Sequence, residues 1–427
     1  MLFLAEGTKD AEITDERAGT LVDDLLDRLR QRSPLRRVLL LPPDYTRAHS
    51  GAGPLTRQLY DRLKAEADVV ILPATGTHFP VNDEEREAMF PGIPADRFRP
   101  HDWRDGVVTL GEVPAAVISE LSEGRVELPA AVQVDRLLAE PGWDAILSIG
   151  QLVPHEVIGI ANHVKNVLIG AGGPDLIHKS HWLGAVHGME RIMGRAKTPV
   201  RSLLNWAADR FLSHLPLVYL LTVRARGDDG RLVTRGLYAG DDHACFEVGA
   251  ELCRSVNLNV VERAPRKVVV TLDPHEYKST WLGNKAIYRT RMAIADGGEL
   301  IVLAPGVRQF GEDEAIDALI RRFGYRGTPA TLAAVRDHPE LARNLSAAAH
   351  LIHGSSEGRF RITYAAGKIS REEIESVGFA HGDLAALSAR YPAERLQEGW
   401  NVVDGEEIYF IGNPALGLWG TAERFGT

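Results

Sequence analysis

Residues 37–47 read Arg-Val-Leu-Leu-Leu-Pro-Pro-Asp-Tyr-Thr-Arg (RVLLLPPDYTR): a short apolar run, two prolines, then four residues rich in polar groups. An apolar run of this length bounded by proline reads as a strand buried on both faces. The same arrangement recurs. Residues 68–73 (DVVILP) run into Ala74-Thr75-Gly76-Thr77-His78, and residues 145–150 (AILSIG) run into a histidine-bearing stretch. Residues 166–173 (NVLIGAGG) end in a glycine cluster and read as a further strand and turn. Helical patterns lie between, as in residues 18–32 with Leu21, Leu25, Leu26 and Leu29 on one face. Strand–loop–helix alternation predicts an α/β fold with mainly parallel sheets. In such sheets ligands bind beyond the carboxyl ends of the strands, and every polar constellation below follows an apolar run.

A second set of elements starts near residue 266. Residues 267–273 (KVVVTLD) and 299–307 (ELIVLAPGV) read as buried strands with a helix over about 283–295 between them, and 361–365 and 407–411 read as further strands. The polar, proline-containing stretch 260–266 (VERAPR within it) marks a boundary. We therefore expect two α/β domains, 1–265 and 266–427, with an active-site cleft between them; the first is expected to bind cofactor and carry catalysis, the second to close over substrate.

The composition narrows the class. The chain has 427 residues, enough for two or three domains and a sizeable core. Its net charge of −9 argues against a general nucleic-acid binder. No apolar run is long enough to span a membrane, and the start, Met1-Leu2-Phe3-Leu4-Ala5-Glu6, has no basic segment of the kind that opens a signal peptide. Two cysteines, Cys245 and Cys253, exclude a disulfide framework and a cysteine-rich metal site. A cytoplasmic enzyme is the expectation.

Four constellations carry possible chemistry. Asp44 and Arg47 stand three apart after a strand, where they orient one another or clamp an anion; the plainer alternative is a helix start with Asp44 as its cap and Arg47 solvated. Thr75, Gly76, Thr77 and His78 suit a hydroxyl- or phosphate-binding turn beside a general base. His101-Asp102 is a further histidine–carboxylate pair. The densest group lies between His155 and His187: five histidines (155, 163, 178, 181 and 187) in 33 residues, where the chain's own frequency of 15 in 427 predicts about one. Lys165, Lys179 and the turn Gly170-Ala171-Gly172-Gly173 share this stretch. No zinc spacing fits, and the turn lacks the dinucleotide GxGxxG pattern. In the second domain, Lys285 and Arg289 form a cationic edge suited to a carboxylate, unless they are simply a solvated helix face.

The ordered set resembles the lactate racemase family of nickel-dependent hydroxyacid racemases and epimerases. The likeness runs through 44–47 (DYTR), 74–78 (ATGTH), 154–156 (PHE), 162–170 (NHVKNVLIG), 180–185 (SHWLGA), 284–288 (NKAIY) and 296–298 (DGG), across most of the chain. It implies a nickel-pincer nucleotide: a pyridinium mononucleotide whose sulfur and carbon donors hold nickel. By this resemblance Lys165 binds the cofactor through a thioamide, His181 ligates nickel, and His78 and His155 form the acid/base pair. Asp44 and Arg47 shape the catalytic site, and Arg47 and Lys285 hold the substrate carboxylate. For the nucleotide's phosphate we look to Thr46, Thr75, Gly170, Gly172 and Gly173.

The implied reaction is racemisation or epimerisation of a 2-hydroxy acid by reversible hydride transfer through a 2-oxo acid. One histidine removes the hydroxyl proton as hydride leaves, and the other serves the opposite antipode. Leu282, where a polar substrate contact is expected, points away from lactate itself. The partners implied are a small 2-hydroxy acid and the cofactor-maturation enzymes. The alternatives are an oxidoreductase using an ordinary nicotinamide nucleotide, and a non-catalytic cofactor-binding homologue.

Overall fold

The computed structural model describes residues 1–427 apart from Asp228 and Thr427. Two compact units emerge. The first comprises Met1–Ser180 and Met193–Asn257; the second comprises His181–Ile192 and Leu258–Thr427.

The first unit is built on a six-stranded sheet. Its order is Leu2–Gly7, Leu232–Gly240, Leu217–Arg226, Ala145–Leu152, Arg37–Leu41, Asp68–Ile71. The four strands from Leu217–Arg226 to Asp68–Ile71 are parallel, and the first two pairings are antiparallel. Val38, Leu39, Leu40 and Leu41 are all fully buried, which is why the run in residues 37–41 shows no alternation. The helix Asp15–Arg32 packs its Leu21, Val22, Leu25, Leu26 and Leu29 into the same core. Thr14 caps it through the Arg17 amide, Asp15 and Glu16 occupy its first turn, and Arg30 and Arg32 its last, each matched to the helix dipole. Each such leucine contributes about 1.5–3 kcal/mol of burial.

The second unit carries its own six-stranded sheet, in the order Ala380–His381, Arg361–Ala366, Glu299–Ala304, Lys267–Thr271, Glu406–Ile411, Gly399–Val403. All its pairings are parallel except the last. Both units thus have the mainly parallel α/β character expected from the sequence.

Three details differ from that expectation. The division falls between Asn257 and Leu258, because Leu258–Val261 pairs in parallel with Leu418–Thr421 and so joins the second unit before residue 266. The excursion His181–Ile192 also joins it, through Glu190, which takes Arg291 (3.1 Å) and Arg359 (2.5 Å). Finally, residues 166–170 are not a strand. They form one π-helical turn, Asn166–Gly170, buried throughout. The Asn166 amide donates to the Leu41 carbonyl (3.0 Å) and to Ser148 Oγ (3.1 Å), a side-chain anchorage that hydrophobic periodicity does not reveal.

Candidate active site

Three consecutive parallel strands of the first unit deliver polar residues at their carboxyl ends. After Arg37–Leu41 the chain turns at Pro42-Pro43 into Asp44, which precedes the 3₁₀ segment Tyr45–Ser50. Asp44 occupies the cap position but makes no capping hydrogen bond. Its buried carboxylate instead accepts from His78 Nδ1 at 2.6 Å and from Thr46 Oγ1 at 2.6 Å. Burial pushes this carboxyl upward, but the His78 and Thr46 hydrogen bonds and the charges of His78 and Arg47 hold it below its ordinary range. Asp44 is therefore an anion. It fixes the His78 proton on Nδ1 and leaves Nε2 as a lone-pair acceptor. His78 follows Asp68–Ile71, and its ring is half exposed. Arg47 is exposed and leans on the Thr46 hydroxyl at 3.4 Å.

His155 follows Ala145–Leu152 and is buried. Its Nδ1 accepts from the Val157 amide at 3.0 Å, so in the neutral ring the proton sits on Nε2. The two histidines thus hold opposite tautomers, His78 ready to accept at Nε2 and His155 ready to donate there. Glu156 lies beside the His155 ring, its carboxylate 3.9 Å from Nδ1.

Lys165 precedes the π-helical turn and is half-buried. Its amine is pulled down from the ordinary lysine value to about 8, first by burial and then by Arg47 and Arg201, while Glu156 and Asp44 pull it upward. A measurable fraction is then uncharged near neutral pH, as a lysine nucleophile requires.

The glycine turn behaves differently from a ligand cradle. A Cβ at Gly170 would meet Ala74, at Gly172 the Leu168 carbonyl, and at Gly173 the Gln133 side chain. The amides of Ala171 and Gly173 are already bonded to the carbonyls of Asn166 and Gln133. These glycines let the turn close against its own chain. The Thr75 hydroxyl, in contrast, is buried without a hydrogen-bond partner among the described residues. Thr46, also considered for the phosphate, is exposed and commits its hydroxyl to Asp44.

His101 pairs with Asp135, not with its neighbour Asp102. Its buried ring meets Asp135 Oδ2 at 2.7 Å through Nδ1 and the Gly172 carbonyl at 3.0 Å through Nε2. Asp102 is exposed and accepts from the amides of Arg104 and Asp105. The partner lies 34 residues away, so adjacency in sequence misassigned it.

The remaining histidines separate. His163 is fully buried; its Nε2 donates to the Asp242 carbonyl at 3.1 Å, its ring lies 3.9 Å from that of Tyr219, and burial pushes it well below the ordinary histidine value. His178 packs edge-on to Trp103. His178, His181 and His187 all lie on the helix Pro174–His187, within which the division between the units falls. At about 100° per residue His178 and His181 lie about 60° apart on one face, and His187 lies about 120° from His181. Among the described residues, no three histidine, cysteine, aspartate or glutamate side chains gather as a metal site. In the second unit, Lys285 opens the helix Lys285–Thr290, with Glu276 3.8 Å from its amine and the Tyr277 ring 5.5 Å away. Arg289 is buried in that helix, so the two do not form a solvated edge.

Sequence reasoning missed Glu156 and Arg201, both close enough in charge to act on Lys165. Glu156 adjoins His155 in sequence and was open to notice; Arg201 gave no signal of its own.

The family model for the lactate racemase N-terminal domain matches residues 23–193, which include Asp44, His78, His155, Lys165 and His181. No curated protein sequence matches the chain. Among solved structures, a Thermotoga maritima protein from a structural genomics programme superposes with TM-score 0.80 at 23% identity, over 96% of this chain and 99% of that one. The lactate racemase apoprotein from Thermoanaerobacterium thermosaccharolyticum superposes with TM-score 0.70 at 15% identity, over 96% and 94%. These two likenesses establish a shared fold across nearly the whole chain. Residues 23–193 thus match the lactate racemase N-terminal domain, and the fold over nearly the whole chain is shared with a lactate racemase apoprotein.

Proposed function

We propose that this protein is a nickel-pincer-nucleotide-dependent racemase or epimerase of a 2-hydroxy acid, acting by reversible hydride transfer through a 2-oxo acid. The observation that carries this reading is the contrasting partners of the two Nδ1 atoms, the Asp44 carboxylate at His78 and the Val157 amide at His155, which imply opposite tautomers. A reaction that removes a hydroxyl proton from either antipode needs one group in each state.

The residues present fit the cofactor. The Lys165 amine is depressed to about 8, first by burial and then by the charges of Arg47 and Arg201, as suits a lysine that must be partly neutral to form a bond. The Thr75 hydroxyl, buried without a hydrogen-bond partner among the described residues, is a further polar group three residues before His78. A metal carried by the cofactor's own donors asks the protein for a single imidazole, and the family resemblance assigns that to His181. When bound, the cofactor supplies an electrophilic ring carbon that accepts and returns hydride.

The chain's residues do the rest. Asp44 stays ionised and holds the His78 ring, so that Nε2 takes the substrate hydroxyl proton. His155 gives its Nε2 proton to the opposite antipode's oxygen, and the roles exchange in the reverse direction. Arg47 holds the substrate carboxylate, with Thr46 supporting the guanidinium. Cofactor-maturation enzymes are the expected partners. Among the described residues no helix is long and apolar enough to cross a membrane.

The test is to co-produce the protein with those enzymes and incubate it with single enantiomers of 2-hydroxy acids. Loss of optical purity with no accumulation of 2-oxo acid is expected. Accumulation coupled to reduction of a nicotinamide nucleotide would replace this reading with the oxidoreductase alternative, and cofactor uptake without conversion would replace it with a binding homologue.

A further inference from the structure

The chain that leads into Lys165 adopts an unfavourable backbone. Asn162 and His163 are consecutive and both left-handed, with φ of 68° and 60°. Outside glycine each such residue costs about 1–3 kcal/mol and persists only where its surroundings impose it.

What imposes it is the first turn of the helix Pro199–Phe211. Its cap, Thr198, donates to the Ile158 carbonyl at 2.9 Å and accepts from the Arg201 amide at 3.0 Å. Arg201 Nη2 donates to the Ile160 carbonyl, and Nη1 to the Asn162 carbonyl at 3.2 Å. Three alternate carbonyls of one segment are thereby held. On the far side of Lys165, the Asn166 amide is tied to Leu41 and Ser148.

Arg201 is unusual in its charge. It is 3% exposed, forms no ion pair with any described residue, and lies 4.0 Å over the Phe246 ring. Its Nε has no hydrogen-bond partner among the described residues. Burial lowers its own acidity constant only to about 9, so it stays cationic at neutral pH. Neutral donors would satisfy the same carbonyls without the heavy desolvation of an unpaired ion. The charge itself therefore asks for a reason. The charged groups that act on the Lys165 amine are Arg47, Arg201, Glu156 and Asp44.

We infer that Arg201 is a positioning residue for Lys165: it fixes the lysine's backbone through the Ile160 and Asn162 carbonyls and sets an unpaired, buried positive charge in the field of its amine. Its value to the protein rests on the reading of Lys165 as the cofactor's attachment point. The charge favours the neutral amine, and it adds to burial in keeping His163 uncharged.

The test uses the full chain without cofactor. Brief acetylation by an amine-reactive ester from about pH 6 to about pH 10, read by peptide mass spectrometry, gives the titration of Lys165, with the exposed Lys9 as internal reference. The wild-type midpoint is expected at about 8. R201Q keeps one donor but removes the charge, and its midpoint should rise by up to about half a pH unit, burial and Arg47 carrying the larger part of the depression. R201K keeps the charge and loses the fork: its midpoint should stay near wild type, while amide hydrogen exchange at residues 160–165 accelerates. A folded R201Q with an unchanged midpoint overturns the inference. Should R201Q not fold, R201K decides, and unchanged exchange at residues 160–165 overturns it. Failure of the cofactor reading is seen separately, as matured wild-type protein carrying no adduct on Lys165 while these midpoints still hold.

Discussion

Replacing Asp44 by asparagine changes one atom type and reverses the chemistry of His78. Thr46 donates its hydroxyl proton to Asp44 Oδ1 and itself receives Arg47, so the oxygen of the new amide stays on the Thr46 side. The amide NH₂ then faces His78 Nδ1, where the carboxylate oxygen sits at 2.6 Å. An N–H donor at that point forces Nδ1 to accept, the proton moves to Nε2, and the ring is no longer a base on its exposed side. General acid–base catalysis contributes about 10²–10⁴-fold, so D44N should lose that much in turnover, roughly 3–5 kcal/mol in barrier. The hydrogen-bond count is preserved, so folding stability should change by no more than about 1–2 kcal/mol. Nitrogen NMR of the ring in cofactor-free protein reads the tautomer directly, and chiral chromatography on matured protein reads the rate. If D44N keeps the proton on Nδ1, or flips it with no loss of turnover, the assignment of His78 as an Asp44-oriented base is wrong.

Asp44 also predicts an acid limb. Its native acidity constant is depressed, so the stability it contributes is fully present above the ordinary carboxyl range and is lost as pH falls through the lower native value. Urea unfolding of wild type and D44N should therefore converge on acidification, and a constant difference down to the lowest pH would count against the His78–Asp44 pair. H101A removes the buried donors to Asp135 and to the Gly172 carbonyl and should cost about 2–4 kcal/mol in urea unfolding; a loss under about 1 kcal/mol would mean the turn is held without it. L39A, at a fully buried position of the central sheet, should cost about 2–5 kcal/mol, and a smaller loss would show that the site collapses around the deletion.

The parallel sheets were legible because their strands are continuous apolar runs ended by proline, glycine or aspartate, as in residues 37–43 and 299–304. The positions of Asp44, His78 and His155 followed from the same logic, since carboxyl ends of parallel strands are where such folds place ligands. The misreadings share one cause. Residues 166–170 have a strand's composition, yet Asn166 anchors them as a π-helical turn through two buried hydrogen bonds. His101 sits beside Asp102 but bonds to Asp135 across the fold. The glycines 170, 172 and 173 have the composition of a phosphate cradle, and each also leaves no room for a Cβ beside its neighbours, which composition does not reveal. Arg201, one of several basic residues between Arg195 and Arg210, becomes conspicuous only when its burial and its lack of an ion pair among the described residues are seen. Long-range polar contacts decide the cases of Asn166, His101 and Arg201, and local periodicity carries no information about them.

The most direct test of the central claim is the nickel content of the protein purified after co-production with the cofactor-maturation enzymes. The account predicts about one nickel ion per chain, held with the cofactor and lost in H181A, which should otherwise fold normally. Folded protein that leaves a working maturation pathway without nickel, or H181A that retains nickel in full, would contradict it.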